Sequence, residues 1–365
     1  MTTSGQGDQI LVFDAGTQSI RAALIDTRGE IHHMVKTPIT PYFSRQPGWA
    51  EQELDYYWQS FAATCRRLFD TEGVASDRIA GVTVTSQRAT MVNLDINGTP
   101  LRPAILWLDQ RKAEIKGHLS PLVTGVLKTL NQYGIVDKAI RESKSNWLIQ
   151  NQPDIWEKTH KFLFLSGYWI HRLTGEYCDS VGSQVGYVPF DYKRHCWAGP
   201  RDLKWKFFPM DPTLLPELVP PGGLLGHISR QASQETGIPE GLPVIAAATD
   251  KACEVMGAGC RYPETACLSY GTTATVNTAS PKYVEIKPFV PPYPGALPGT
   301  YNTEAMVYRG FWMVSWFKKE FGLREQRIAR ERGIAPETLF DELIHDVPPG
   351  SMGLTLQPYW SPGIN

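Results

Sequence analysis

The sequence predicts an α/β protein built in two related halves, and three observations point there. Ile10–Asp26, ILVFDAGTQSIRAALID, is an apolar run, a short polar turn and a second apolar run, the pattern of two strands joined tightly. Ala266–Thr278, ACLSYGTTATVNT, repeats that arrangement far downstream. Between them, Leu242–Ala247 reads as a buried strand and Asp250–Gly257 opens a helix, the strand-to-helix alternation of an α/β sheet.

The remaining elements follow in chain order. Ile10–Phe13, Arg21–Ile25 and Glu30–Val35 read as a three-stranded meander that turns at the Gly-Thr segment and at Arg28-Gly29. Trp49–Cys65 has helical spacing after the loop Gln46-Pro47-Gly48. Arg78–Thr85 is a β-branched strand stopped by Ser86-Gln87-Arg88, and Thr90–Leu94 is the next strand, closed by the turn pair Asn97-Gly98. Residues from about 110 to 175 read as helical, with Trp147, Trp156 and Trp169 as core anchors. Pro216–Gly241 is rich in proline and glycine and is expected to mark a boundary. Pro281–Gly299 carries six prolines and reads as a surface loop. Thr303–Tyr308 is the last expected strand and Phe311–Phe321 the last expected helix.

Length and composition narrow the class. The 365 residues suffice for two domains and a sizeable core. With 42% hydrophobic and 20% charged residues the composition is that of an ordinary globular protein. A formal net charge of −1 supplies no field toward nucleic acid or an anionic membrane. The apolar run Phe162–Ile170 is too short to span a bilayer, and the polar N-terminus MTTSGQGDQ has no hydrophobic signal core. The six cysteines form no C-x-x-C pair and have no histidines clustered near them, so neither zinc nor a disulfide framework is expected. They read as reduced, mostly buried thiols, and a cytoplasmic location is expected.

Several segments permit chemistry. In the turn Asp14-Ala15-Gly16-Thr17-Gln18-Ser19, Gly16 lets an anion approach backbone N–H groups. Thr17, Gln18 and Ser19 add donors, Arg21 adds charge, and Asp14 can hold a metal ion. An ordinary hairpin with a polar turn explains this segment equally well when it is taken alone. The second turn, Gly271-Thr272-Thr273, shifts the balance, because two such hairpins suit a nucleotide held between related halves. The G-x-x-x-x-G-K-[ST] and G-x-G-x-x-G phosphate fingerprints are absent from the sequence. Asp250 ends the strand VIAAAT where a helix starts, so it fits an N-cap as well as an acidic functional group, and one residue can do both. Gln87 and Arg88 offer strand-end donors to hydroxyls or carbonyls, or form a solvated turn. In LWLDQR, Trp107 either stacks on the C–H face of a sugar or fills the core, with Asp109 and Arg111 adding polar groups.

Taken together, DAGTQSIRA, PGWAEQ, TSQRATMVNLD, LRPAILWLDQR, LTGEYCDSVGS, GLPVIAAATDKACEVMGAG and LSYGTT stand in the order found in one family. The chain resembles the FGGY carbohydrate kinases of the actin-like ATPase superfamily from about residue 9 onward, and is most similar to a branch whose sugar is undefined. The resemblance implies an actin-like ATPase (ribonuclease H-like) α/β fold. It implies a polar tail at 1–9, a complete N-terminal sugar-binding domain at 10–249 and a partial C-terminal nucleotide-binding domain at 250–365.

The same resemblance implies ATP and Mg²⁺ as cofactors and a small carbohydrate as substrate. It implies no nucleic-acid or membrane partner, and a possible homodimer. Asp14, Gly16 and Thr17, with Gln18 and Ser19, would form the first phosphate loop, Asp14 holding Mg²⁺ through water. Arg21 would lie near the transferred phosphate. Gln87, Arg88, Trp107 and Asp109 would line the sugar pocket. Asp250 would be the general base, beside both substrate and metal. Gly271, Thr272 and Thr273 would meet the ATP phosphates, and Ser315 would make an ATP-side contact.

Two departures from the family pattern stand out. Lys251 replaces the Gln or His common in relatives. Ala89 replaces the Glu of glycerol-phosphorylating relatives, which disfavours glycerol. The expected activity is transfer of the γ-phosphate of ATP to a carbohydrate hydroxyl. The alternative is a carbohydrate-binding chain that lacks the adenosine site.

Overall fold

A computed structural model of the chain describes residues 7–115, 119–270, 274–307 and 310–356. They fall into two compact units, Met1–Pro263 with Ala279–Thr303, and Glu264–Thr278 with Glu304–Asn365.

The first unit opens with the expected meander. Strands β1 (Gln9–Ala15), β2 (Ser19–Asp26) and β3 (Ile31–Pro38) pair antiparallel in succession. The strand β4 (Glu51–Gln52) precedes helix α1 (Leu54–Phe69). The helix therefore starts later than the spacing of Trp49–Cys65 predicts, because Glu51 and Gln52 pair with Ile105 and Ala104. Within α1, Leu54, Tyr57, Trp58, Phe61, Cys65 and Leu68 are buried, which is the apolar stripe of an amphipathic helix.

Strands β5 (Ile79–Ser86), β6 (Met91–Leu94) and β7 (Ala104–Ile105) follow. Helices α2 (Pro121–Thr129), α3 (Tyr133–Glu142), α4 (Lys144–Asn151) and α5 (Pro153–Lys158) occupy the span expected to be helical. That span also holds a strand, β8 (Lys161–Phe164), which runs directly into α6 (Leu165–Thr174). A four-residue segment has too few positions for its period to separate strand from helix. Here β6 captures it, pairing Met91 with Phe164 through to Leu94 with Lys161.

Short strands β9 (Cys178–Ser180), β10 (Phe190–Asp191) and β11 (Cys196–Trp197) lead to helix α7 (Lys204–Phe207). The Pro/Gly-rich stretch 216–241 is not a boundary. It supplies strands β12 (Glu217–Val219) and β13 (Leu224–His227) and helix α8 (Arg230–Thr236), all within the first unit. Its glycines serve turns: Gly222 and Gly237 have φ of +82°. Strand β14 (Pro243–Ile245) and helix α9 (Asp250–Gly257) come next, the helix as expected from sequence.

The central sheet runs β13-β14-β5-β1-β2-β3. Strands β1, β5 and β14 are mutually parallel and occupy its middle. In β1 the odd positions Leu11, Phe13 and Ala15 are buried. Phe13 stacks on Phe61 at 4.0 Å, and Phe61 stacks on Trp169 at 5.1 Å, so α1 and α6 share one apolar layer on the sheet. Trp169 is fully buried and Trp147 anchors a second apolar cluster, while Trp156 is only partly buried at the edge of that cluster.

In the second unit, β15 (Cys267–Tyr270) pairs antiparallel with β16 (Ala274–Ser280), from Cys267–Asn277 to Tyr270–Ala274. The chain then returns to the first unit, where β17 (Tyr293–Pro294) pairs with Tyr301 and Asn302, the first residues of β18 (Tyr301–Val307). Pro292, Pro294 and Gly295 are buried, so 281–299 is not simply a surface excursion. After α10 (Trp312–Phe321) the second unit carries two helices the sequence reading lacks, α11 (Leu323–Arg332) and α12 (Pro336–Ile344). Each buries a single residue, Ala329 and Leu339 respectively.

None of the six cysteines lies in a disulfide among the described residues, and four of them are buried. Among the described residues no helix is long and apolar enough to cross a membrane.

Candidate active site

The three parallel strands β1, β5 and β14 end at one edge of the sheet. Backbone pairing aligns Ala15 with Ser86, and Ser86 with Thr249. Asp14, Gln87 and Asp250 each lie one residue from that row. Open α/β sheets bind ligands outside the carboxyl ends of their parallel strands, and three of the predicted site residues meet there.

Asp14 faces Arg21 across the hairpin and forms an ion pair with it. Their side chains are 32% and 40% exposed, so a ligand can reach both. The turn is closed by the Gly16 N–H donating to Ser19 O at 3.1 Å. That N–H is therefore engaged inside the turn, where the sequence reading had offered it to an anion. Gln18 is exposed, and Ser19 is buried at the start of β2.

Thr17 and Gln87 belong to one hydrogen-bonded chain. The Trp107 indole N–H donates to Thr17 Oγ1 at 3.1 Å, and Thr17 Oγ1 donates to Gln87 Oε1 at 2.9 Å. Gln87 Nε2 donates to Tyr57 Oη at 3.0 Å. Gln87 is buried, and this chain fixes which way its amide points. Trp107 is 44% exposed, so its ring is not core. Tyr57 escapes sequence reasoning because it reads as one more buried position of α1.

Asp109 is placed differently. Its Oδ1 accepts from Arg111 N at 2.9 Å and Arg111 Nε at 2.8 Å, while Oδ2 accepts from Ala50 N at 2.7 Å and Arg111 Nη2 at 2.8 Å. Four bonds take up the acceptor capacity of a carboxylate. Lys144 Nζ also donates to the Asp109 backbone carbonyl at 2.8 Å. Burial opposes the charge of Asp109, but Arg111 and Lys144 outweigh it and hold the carboxyl below its usual value. Arg111 also pairs with buried Glu51 at 3.0 Å and lies over the rings of Trp49 and Trp147 at 4.0 and 4.6 Å. Arg102 makes a further ion pair with Glu51. These residues form a buried ionic knot that fixes the backbone two residues beyond Trp107.

Asp250 is the first residue of α9, whose N-cap Thr249 accepts from Ala252 N through its side chain. The cap role weighed for Asp250 thus belongs to its neighbour. Asp250 Oδ1 accepts from Lys251 N at 2.7 Å. Burial raises its pKa, the Lys251 N–H and the Arg88 charge lower it, and Asp14 raises it again, for a net upward shift. Lys251 itself pairs with Glu254 at 2.5 Å. Arg88 lies over the Tyr293 ring at 5.1 Å.

The floor beside Asp250 is tightly packed. Thr249 N donates to Gly182 O at 3.1 Å, and a Cβ on Gly182 would fall 2.7 Å from the Ala248 Cβ. Gly182→Ala is expected to lose about 1–3 kcal/mol of stability through overpacking, read by denaturant unfolding. Activity should fall with it, because the backbone that carries Asp250 must shift.

Ser315 lies on α10 of the second unit and is exposed. Gly271, Thr272 and Thr273 lie outside the described residues.

Comparison with known proteins gives the family. Residues 9–257 match the N-terminal domain of the FGGY family of carbohydrate kinases. An uncharacterized sugar kinase, YgcE of Escherichia coli K12, is 28% identical over 346 residues, covering 94% of this chain and 63% of the relative. A xylulose kinase of Lactococcus lactis is 25% identical over 96% of this chain and 67% of its own length. The L-fuculokinase of E. coli K12 is 29% identical over 72% of this chain and 55% of its own. The chain thus spans roughly two thirds or less of these relatives. Among solved structures, the xylulose kinase of Rhodospirillum rubrum superposes with a TM-score of 0.78 at 25% identity, covering 96% of this chain and 70% of that one. A gluconate kinase of Lactobacillus acidophilus gives 0.76 at 18% identity, a likeness of fold alone, over 96% of this chain and 68% of that one.

Proposed function

The chain belongs to the FGGY family of carbohydrate kinases, and from that premise we propose that it transfers the γ-phosphate of ATP to a hydroxyl of a ketose or polyol. The observation that carries this is the convergence of Asp14, Gln87 and Asp250 at the carboxyl ends of three parallel strands.

In this reading the sugar hydroxyl faces Asp250. The carboxylate accepts the hydroxyl proton as the oxygen forms its bond to the γ-phosphorus and the bond to the ADP oxygen breaks. A carboxyl held above its ordinary pKa by burial is a better base than a solvated one. The loose transition state asks little more of it than position. Gln87, its amide oriented by Thr17 and Tyr57, and Arg88 bind the sugar hydroxyls. Trp107 offers an exposed ring to a C–H face. Asp109, saturated by protein donors, acts through the backbone as a positioning residue for Trp107. Ala89 removes the acceptor that would grip glycerol.

The donor set suits a divalent cation of the magnesium type. Asp14 and Asp250 would contribute carboxylate oxygens, and Asp14 is accessible. Mg²⁺ held there would neutralise charge on the phosphates. Arg21, now paired with Asp14, would turn to the transferred phosphoryl group. We extend the proposal to the Gly271-Thr272-Thr273 turn and Ser315 as ATP-side groups, on the strength of the family pattern alone. Cysteines kept as thiols rather than disulfides suit a reducing compartment, so we place the protein in the cytoplasm.

A coupled ADP-release screen over pentoses, ketoses, polyols and deoxysugars tests the reading. Sugar-dependent ADP release, strongest with a ketose such as D-xylulose or L-fuculose and weakest with glycerol, is the expected result. ADP release that no sugar stimulates, together with no sugar-induced melting shift, would overturn it. A chain that binds sugar and releases no ADP would instead support carbohydrate binding without transfer.

A further inference from the structure

The segment after β16 returns to the first unit as a braced strap. Tyr293 pairs with Asn302 and Pro294 with Tyr301, and Gly295 N donates to Thr300 O at 2.8 Å. Gly299 closes the turn with a φ of +72°, which an L side chain rarely adopts. Tyr301 Oη donates to Lys193 O at 2.7 Å, and its ring lies 4.6 Å from that of His195. The strap is thus anchored at the turn between β10 and β11.

The anchored strap presents one ring to the candidate site. The Arg88 guanidinium lies over the Tyr293 ring at 5.1 Å. Tyr192 backs that ring at 6.2 Å and is itself held by Tyr192 Oη donating to Gly186 O at 3.0 Å. Ala89, directly after Arg88, has a φ of +56°, a left-handed conformation unusual for a residue with a Cβ. Such outliers persist where the surroundings over-determine them, and they concentrate at ligand sites. The backbone of Arg88 is constrained from one side and its guanidinium from the other.

We propose that Tyr293 is a positioning residue for Arg88, and that the strap from Pro291 to Asn302 thereby sets sugar specificity. The proposal rests on the carbohydrate-kinase reading. An arginine side chain samples many rotamers, and a ring packed against it reduces the number that binding must freeze. The ring attracts the guanidinium through its π face and leaves the N–H groups to donate to hydroxyls. Neither Tyr293 nor Tyr192 belongs to a sequence motif. The strap reaches the site only through tertiary return.

The test uses the sugar giving the largest ADP release in the screen above, and follows both calorimetric binding and steady-state kinetics. Tyr293→Ala is expected to raise the sugar KM about tenfold, with kcat within about threefold and the ATP KM unchanged. Tyr293→Leu, which fills the space without a π face, is expected to show the same loss. Tyr293→Phe restores the wild-type KM. In an Arg88→Ala background, Tyr293→Ala is expected to cost nothing further. Unchanged sugar KM in Tyr293→Ala or Tyr293→Leu, or full additivity with Arg88→Ala, would overturn the inference and leave the kinase reading standing. A wild-type chain that neither binds nor turns over any sugar would overturn the kinase reading, and the inference with it.

Discussion

Asp250→Asn is expected to lower kcat by roughly a hundred- to ten-thousand-fold, the usual contribution of a positioned general base. Sugar affinity should change little, because Asn keeps the shape and an oxygen that can accept from the Lys251 N–H. The same variant carries a stability signature. The Asp250 carboxyl is raised above its ordinary value by burial, with Asp14 adding and Arg88 subtracting. An acid raised in the folded state binds its proton more tightly folded than unfolded. Folding therefore takes up a proton once the pH passes the ordinary value of 3.8, and stability is lost as pH climbs through the raised folded value. Asn has no charge to bury. Asp250→Asn should melt higher than wild type at pH 7 and show no such advantage below the ordinary carboxylate range. Retained kcat would remove Asp250 as the base, and an unchanged melting difference across pH would remove burial as the cause of its shift.

Asp109→Ala is expected to destabilise the fold by about 3–5 kcal/mol, the cost of breaking a buried ion pair from one side. Arg111 and Lys144 would lose their shared counter-charge inside the protein, and the buried Ala50 N–H its acceptor. Glu51 alone would face Arg102 and Arg111. Denaturant unfolding measures the loss. Asp109→Asn separates the two roles this residue could have. A positioning role predicts a large fall in stability, with the sugar KM following it. A direct contact with sugar predicts a raised KM at unchanged stability. The second outcome would return Asp109 to the sugar pocket.

These two acidic residues show where sequence reasoning reached and where it stopped. Asp250 was legible because its signals are local: an apolar strand, a polar stop and a helix start within ten residues. The structure moved only the cap, from Asp250 to Thr249. Asp109 was legible as a motif residue, but not as a buried one. Its partners Ala50 and Lys144, and the Glu51 that shares Arg111 with it, come from β4 and its approach and from α4. No pattern around LWLDQR announces them. Trp107 shows the opposite outcome, since the alternative of a core tryptophan ended with its exposure.

The sequence by itself determined the meander of β1, β2 and β3, the polar turn at Asp14–Ser19, the strand that stops at Gln87 and the helix that starts at Asp250. Each depends on alternation, turn chemistry or capping, which act between residues a few positions apart. Only the tertiary structure decided that Tyr57 orients Gln87, that residues 216–241 are strand and helix, and that the proline-rich segment returns to set Tyr293 under Arg88. Those choices depend on which distant surfaces meet in the packed chain, and such meetings leave no periodic trace in a single sequence.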